Sequence, residues 1–170
     1  ISAATITDER EEIVDFSDPY FDSGQGQMIA VREEDADTIT TADDLVGLTV
    51  GVQTGTTGDL FASSITGVEV ERYDEITLAF QALGADEIDA VVNDGPVSEE
   101  IIASNPDLGV VLVGERLTEE KYGIAVNSER PELLDAINGA LAEVIASGTY
   151  ADIYNEWFGE DPPADFLPAE

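Results

Sequence analysis

Hydrophobic and polar positions along this chain change period several times, and each change predicts an element. Residues 27–32, Gln-Met-Ile-Ala-Val-Arg, are an apolar run with polar ends and predict a strand. Thr41-Ala42-Asp43-Asp44-Leu45 predicts one capped helical turn ending at Gly47. Strand and helix then alternate: strand 48–53 leads through Thr54-Gly55-Thr56-Thr57-Gly58 into a helix to about residue 63, strand 68–73 into helix 75–83, and strand 90–93 into helix 96–103. Such alternation predicts a parallel sheet with crossovers. Strands 109–113 and 122–126 follow, separated by the polar connector 114–121. Behind Pro131, apolar residues Leu134, Ile137, Leu141, Val144 and Ile145 recur at helical spacing. A second helix, 150–158, stops at Gly159, and Asp161-Pro162-Pro163 begins a tail. Near the start, Thr7 caps a short helix whose first turn carries Asp8 and Glu9. Residues 1–4 read as the end of a strand without its beginning, so upstream sequence is expected.

Composition narrows the function. A hydrophobic share of 43% in 170 residues supports one domain or two small lobes with a real core. Acids outnumber Lys and Arg by 38 to six, a formal charge of −32, which excludes nonspecific nucleic-acid binding and attraction to anionic lipid. The acids are dispersed along the chain, as on proteins of extreme halophiles, where salt screens self-repulsion. Absence of Cys and His removes disulfides, thiolate nucleophiles, the usual zinc sites and the commonest general base. No metal or cofactor is expected. No apolar run approaches membrane-spanning length.

Three segments are candidates for chemistry. Arg10 is a scarce cation beside Ala3 and Thr5; its planar fork suits a carboxylate, and Thr5 can add a hydroxyl or amide donor. The alternative is a surface cation balancing Asp8, Glu9, Glu11 and Glu12. The 54–58 loop offers amides and hydroxyls at a helix N-terminus, an anion site better suited to a carboxylate than to a phosphate, because no Lys follows Gly58. It can equally be a tight turn without ligand. Asp94, in Asn93-Asp94-Gly95-Pro96 at the carboxyl end of a strand, can receive an ammonium group or cap the next helix. A guanidinium, a helix N-terminus and a lone carboxylate together complement the charged groups of a free α-amino acid.

In order and wording these segments resemble the extracytoplasmic solute-binding proteins of polar amino-acid ABC transporters, most of all the glutamine-binding type. The resemblance is carried by 4–10 (Ala-Thr-Ile-Thr-Asp-Glu-Arg), 15–20 (Asp-Phe-Ser-Asp-Pro-Tyr), Ser23-Gly24-Gln25, 52–58 (Val-Gln-Thr-Gly-Thr-Thr-Gly), 89–94 (Asp-Ala-Val-Val-Asn-Asp), Tyr122-Gly123-Ile124-Ala125, and Gly148-Thr149-Tyr150 through Trp157-Phe158-Gly159. It implies an α/β, type II periplasmic-binding-protein-like fold: two α/β lobes, two crossover hinge strands, and a ligand in the cleft. Lobe 1 is incomplete here, made of 1–22 and 119–160; lobe 2 is 23–118, and 161–170 form a tail.

By the same resemblance, Arg10 clamps the α-carboxylate with help from Thr5 and the backbone near Ala3. Thr56 and Thr57 meet that carboxylate from the other lobe, Asp94 takes the α-ammonium, and Gln53 meets the ligand side chain. Tyr20, Gly24, Thr118 and Tyr122 mark the hinges. Gln53 stands where the glutamine-binding type has lysine, and Asn93 where it has histidine. The implied function is capture of a polar L-amino acid and delivery to permease subunits, outside the cytoplasm and anchored through upstream sequence. Alternatives on the same fold are a receptor's sensing domain and an enzyme, a dehydratase or murein-cleaving module. The short chain is expected to bind nothing alone or to borrow a surface by self-association, through helix 134–145 or the strand edge near Tyr122.

Overall fold

The computed structural model describes Ile1 and residues 3–22 and 26–167, so the Gly24 hinge position lies outside the described residues. The chain divides into two units, Ile1–Asp22 with Lys121–Glu170, and Ser23–Glu120. In the first segment, β1 (Ala4–Thr5) leads to α1 (Asp8–Glu11), then β2 (Asp15–Phe16) and β3 (Phe21–Asp22). Thr7 caps α1 as its sequence predicts, its hydroxyl accepting from the Arg10 N–H at 3.3 Å.

The second unit begins with β4 (Gln27–Arg32), and the predicted turn at Ala42–Leu45 is a 3-10 turn closed by a Thr41/Asp44 capping box. The alternation follows: β5 (Thr49–Gln53), α2 (Thr57–Ser64), β6 (Glu69–Tyr73), α3 (Ile76–Gly84), β7 (Ala90–Asp94), α4 (Gly95–Ser104) and β8 (Val110–Val113). These five strands form one sheet in the order β6-β5-β7-β4-β8. The sheet is mixed rather than parallel. β5 pairs parallel with β6 and β7, but β4 runs antiparallel to both β7 and β8. β4 precedes the first crossover helix, so no βαβ connection fixes its direction.

Both faces of this sheet are covered, which is why β4, β7 and β8 carry continuous apolar runs, whereas the edge strand β6 is polar and largely exposed. Ile29, Val31, Leu45, Val50, Val52, Ala62 and Val92 pack in one core cluster; Ala30, Ala79, Phe80, Leu83, Ile88 and Val91 pack in the other. Alternation along β4 sends Ile29 and Val31 to one cluster and Ala30 to the other.

The first unit resumes with β9 (Lys121–Gly123), β10 (Ala125–Val126), α5 (Pro131–Ala146) and α6 (Thr149–Phe158). The single strand expected at 122–126 is therefore two strands. β9 lies between β1 and β3, whereas β10 pairs with β2. Ile124 makes the switch, its N–H donating to Ser17 Oγ at 2.9 Å and its carbonyl accepting from the Ser17 N–H at 3.0 Å. Neither α5 nor α6 contains a fully buried residue. A run of rings packs α6 against the strands: Phe21 on Tyr122 at 5.7 Å, Phe21 on Phe158 at 5.6 Å, and Tyr154 on Phe158 at 4.6 Å; none of these rings lies on α5. The segment expected as a tail also packs: Phe166 is buried and stacks on Tyr150 at 5.2 Å. Burial pushes the Tyr150 hydroxyl up to about 12. Among the described residues no helix is long and apolar enough to cross a membrane.

Candidate functional site

The predicted site residues fall in both units, and each set is built separately. In the first unit, capping by Thr7 starts α1 and directs Arg10 back over β1, where its Nη1 donates to the Thr5 carbonyl at 2.8 Å. Among the described residues Arg10 forms no ion pair, although Asp8, Glu9, Glu11 and Glu12 surround it in sequence. The counter-charge alternative therefore has no geometry behind it. Thr5 is buried, and Ala3, at φ 46°, donates its N–H to the Tyr20 hydroxyl at 3.1 Å. Burial raises the Tyr20 pKa, with the Ala3 N–H opposing it. Tyr20 is tied in turn to the hinge candidate Tyr122, donating its N–H to that carbonyl at 3.0 Å.

In the second unit the 54–58 loop is held from both sides. Gly55, at φ 73°, turns the chain and donates its N–H to Asp59 Oδ2 at 3.0 Å. Arg72 grips the same carboxylate with both Nε, at 3.1 Å, and Nη2, at 2.9 Å. Burial pushes the Asp59 carboxyl up, but hydrogen bonds from Arg72, Gly55 and Ser63 outweigh it and hold the pKa below its ordinary value. Thr56 caps α2: its hydroxyl accepts from the Asp59 N–H at 3.2 Å and donates to the Gln53 carbonyl at 2.8 Å. The Thr57 hydroxyl donates to Glu120 Oε2 at 3.0 Å, so its proton is committed within the protein. What remains for an anion is backbone: among the described residues the N–H groups of Thr57 and Gly58 have no acceptor.

Asp94 ends β7, and its side chain makes no capping hydrogen bond to α4. The cap alternative is thus corrected. Its carboxylate instead accepts from Gln27 Nε2, at the start of the neighbouring β4. Gln27 is fully buried, and its amide nitrogen also reaches Glu120 Oε1 at 3.1 Å and Thr57 Oγ1 at 3.2 Å. Thr118 joins this cluster, its hydroxyl accepting from the Gln27 N–H at 2.9 Å and donating to Glu120 Oε1 at 3.0 Å. Gly26 lets the strand approach: it adopts φ 45°, and a Cβ there would overlap the Thr118 carbonyl oxygen. Gln53 stands somewhat apart, its Nε2 donating to the Asp74 carbonyl at 3.0 Å. Asn93, buried, donates to Ser98 Oγ at 3.1 Å.

The structure thus gathers Ala3, Thr5 and Arg10 in one set, and Thr56, Thr57 and Asp94 in the other. Sequence reasoning missed Gln27, Asp59, Arg72 and Glu120. Gln27 carries a usable signal, a polar residue opening an apolar strand. Glu120 carries none, being one acid among many. No group of three or more acids among the described residues is arranged to hold a metal ion.

The sequence and the fold match proteins of known type. A model of the bacterial extracellular solute-binding proteins, family 3, matches residues 1–160. The L-cystine-binding protein TcyJ of Escherichia coli strain K12 is 35% identical over 162 residues, which cover 95% of this chain and 60% of that protein. Among solved structures, a mutant of ArgBP from T. maritima is 45% identical with a TM-score of 0.85, covering 93% of this chain and 67% of that one. The arginine-, lysine-, histidine-binding protein ArtJ of Geobacillus stearothermophilus is 36% identical with a TM-score of 0.88, covering 97% and 71%. The chain spans about 60% of the length of curated relatives such as TcyJ. Matched over nearly all of its length by the family model and by relatives of one architecture, the chain belongs to family 3 of the bacterial extracellular solute-binding proteins.

Proposed function

We propose that this chain belongs to the substrate-binding component of an amino-acid ABC transporter, which captures a polar L-amino acid and delivers it to permease subunits. One observation carries the reading: in a chain with 38 acids, Arg10 is oriented by a backbone carbonyl and engages no carboxylate among the described residues. A guanidinium left with donors to offer is suited to a ligand carboxylate. The N–H groups of Thr57 and Gly58 complement the same group, and Asp94 complements the ammonium. Thr56 acts by shaping the loop, Ala3 and Thr5 by supporting Arg10, and Gln53 is assigned to the ligand side chain. Tyr20, Gly24, Thr118 and Tyr122 flank the two points where the chain passes from one unit to the other, and are assigned as hinges.

The names of the similar proteins support an amino-acid ligand: cystine for TcyJ, and arginine, lysine and histidine for ArtJ. Capture is reversible and selects a ligand-bound state without chemistry. The proposal includes an extracytoplasmic location, a membrane anchor in upstream sequence, no nucleic-acid partner, self-association of the short chain, and a halophilic source for the acidic surface. Thermal-shift measurements of the full-length protein against the twenty amino acids test the reading. Stabilisation by one or a few polar amino acids is expected; none stabilising at millimolar concentration counts against it.

A further inference from the structure

Around Gln27 the charges are arranged in a way that capture by Asp94 alone does not require. The Gln27 amide nitrogen has two hydrogens and three acceptors, Asp94 Oδ1, Glu120 Oε1 and Thr57 Oγ1. Its oxygen, Oε1, is buried without a hydrogen-bond partner. Reversing the amide would set that oxygen against two carboxylates, so their charge holds the amide as it is. Glu120 is itself buried, and Thr57 and Thr118 both donate to it. Two carboxylates therefore lie within two hydrogen-bond lengths of each other, joined by a single amide nitrogen. Like charges this close in a partly desolvated site repel, and a cation bound at either one relieves the repulsion.

We propose that Glu120 is a specificity-determining residue of the ammonium subsite: without touching the ligand, its charge strengthens the attraction of Asp94 for an α-ammonium. This rests on the amino-acid reading above. The ligand class it favours carries a full positive charge at the α-position, so compounds with the same side chain and carboxylate but no ammonium gain nothing from Glu120.

The test is calorimetry on the full-length protein with two probe pairs, L-arginine with 5-guanidinopentanoate and L-glutamine with glutaramate, the second of each pair lacking only the α-ammonium. Glu120→Gln keeps the size and removes the charge; its amide oxygen can still accept from Gln27 and Thr118, while the Thr57 hydroxyl must turn to accept from the new NH2 group. The substitution should lower affinity for the amino acid that binds by about tenfold and leave its deaminated partner within about twofold. Glu120→Asp, which retains the charge, should keep the wild-type ratio between the two, and supplies the test if Glu120→Gln fails to fold. An equal loss for both members of a pair would make Glu120 a support for the 54–58 loop and overturn the proposal, as would no loss for either or a Glu120→Asp protein with an altered ratio. Wild-type protein that binds no amino acid refutes the amino-acid reading itself, and this inference with it.

Discussion

The two sets of candidate ligand groups are built in opposite ways. In the 23–120 unit the 54–58 loop and Asp94 are fastened to a five-stranded sheet with two packed faces, and nearly every loop side chain already has a protein partner. In the other unit Arg10 follows a two-residue strand, on a one-turn helix with no buried residue, and one hydrogen bond to Thr5 orients it. The contrast separates two routes to recognition. A preorganised loop presents fixed N–H donors at little ordering cost, whereas a long cation contributes charge and pays rotamer entropy when it engages. Substitutions of the packed groups that fasten the first region should act on stability, whereas substitutions of ligand-facing groups, Arg10 above all, should act on affinity.

The largest expected effect breaks the fold of the sheet unit. Phe80, fully buried, becomes a cavity in Phe80→Ala, which should cost about 3–5 kcal/mol in chemical denaturation. The contrasting Trp157→Ala, at 78% exposure on α6, should change stability by less than about 0.5 kcal/mol. Equal losses would erase the distinction between a packed and an open unit.

Next comes Arg10→Lys, expected to weaken amino-acid binding by about 2–4 kcal/mol with unchanged melting temperature, because a forked contact becomes a point charge. A calorimetric change below about tenfold, or 1.4 kcal/mol, would remove Arg10 from the ligand clamp. Asp94→Asn should cost about 1–3 kcal/mol of affinity while the fold stays intact, since Asn can still accept from Gln27. Affinity and melting temperature both unchanged would remove Asp94 from the site.

The smallest effect concerns pH. Asp59 has a folded pKa below its unfolded value, so its contribution to stability is present above the unfolded pKa of about 3.9 and is lost as pH falls through the lower folded one. Asp59→Asn should flatten the stability-pH curve in that acid window and leave its shape near neutrality unchanged. An identical acid slope in the variant would show that other carboxylates produce it.

How much of this was legible in the sequence follows the same division. β4 falls at 27–32 as read, and α5 begins at Pro131, because an apolar run and a helical period each leave a strong local signal. Reversal of β4 and the break at Ile124 were not legible, since both depend on which distant strand supplies the partner. At the site, Arg10 and the 54–58 loop stood out by scarcity and by turn chemistry. The Arg72 grip on Asp59 and the Gln27–Glu120 cluster did not, because their members are 13 and 93 residues apart and look like ordinary polar positions.

The central claim is that the chain recognises both charged ends of a free α-amino acid. Calorimetry on the full-length protein with the tightest-binding amino acid, its decarboxylated counterpart and its deaminated counterpart measures each end separately. The account predicts micromolar or tighter binding of the intact amino acid and a loss of at least about a hundredfold, 2.7 kcal/mol, on removing either end. Retention of affinity after either removal would contradict it.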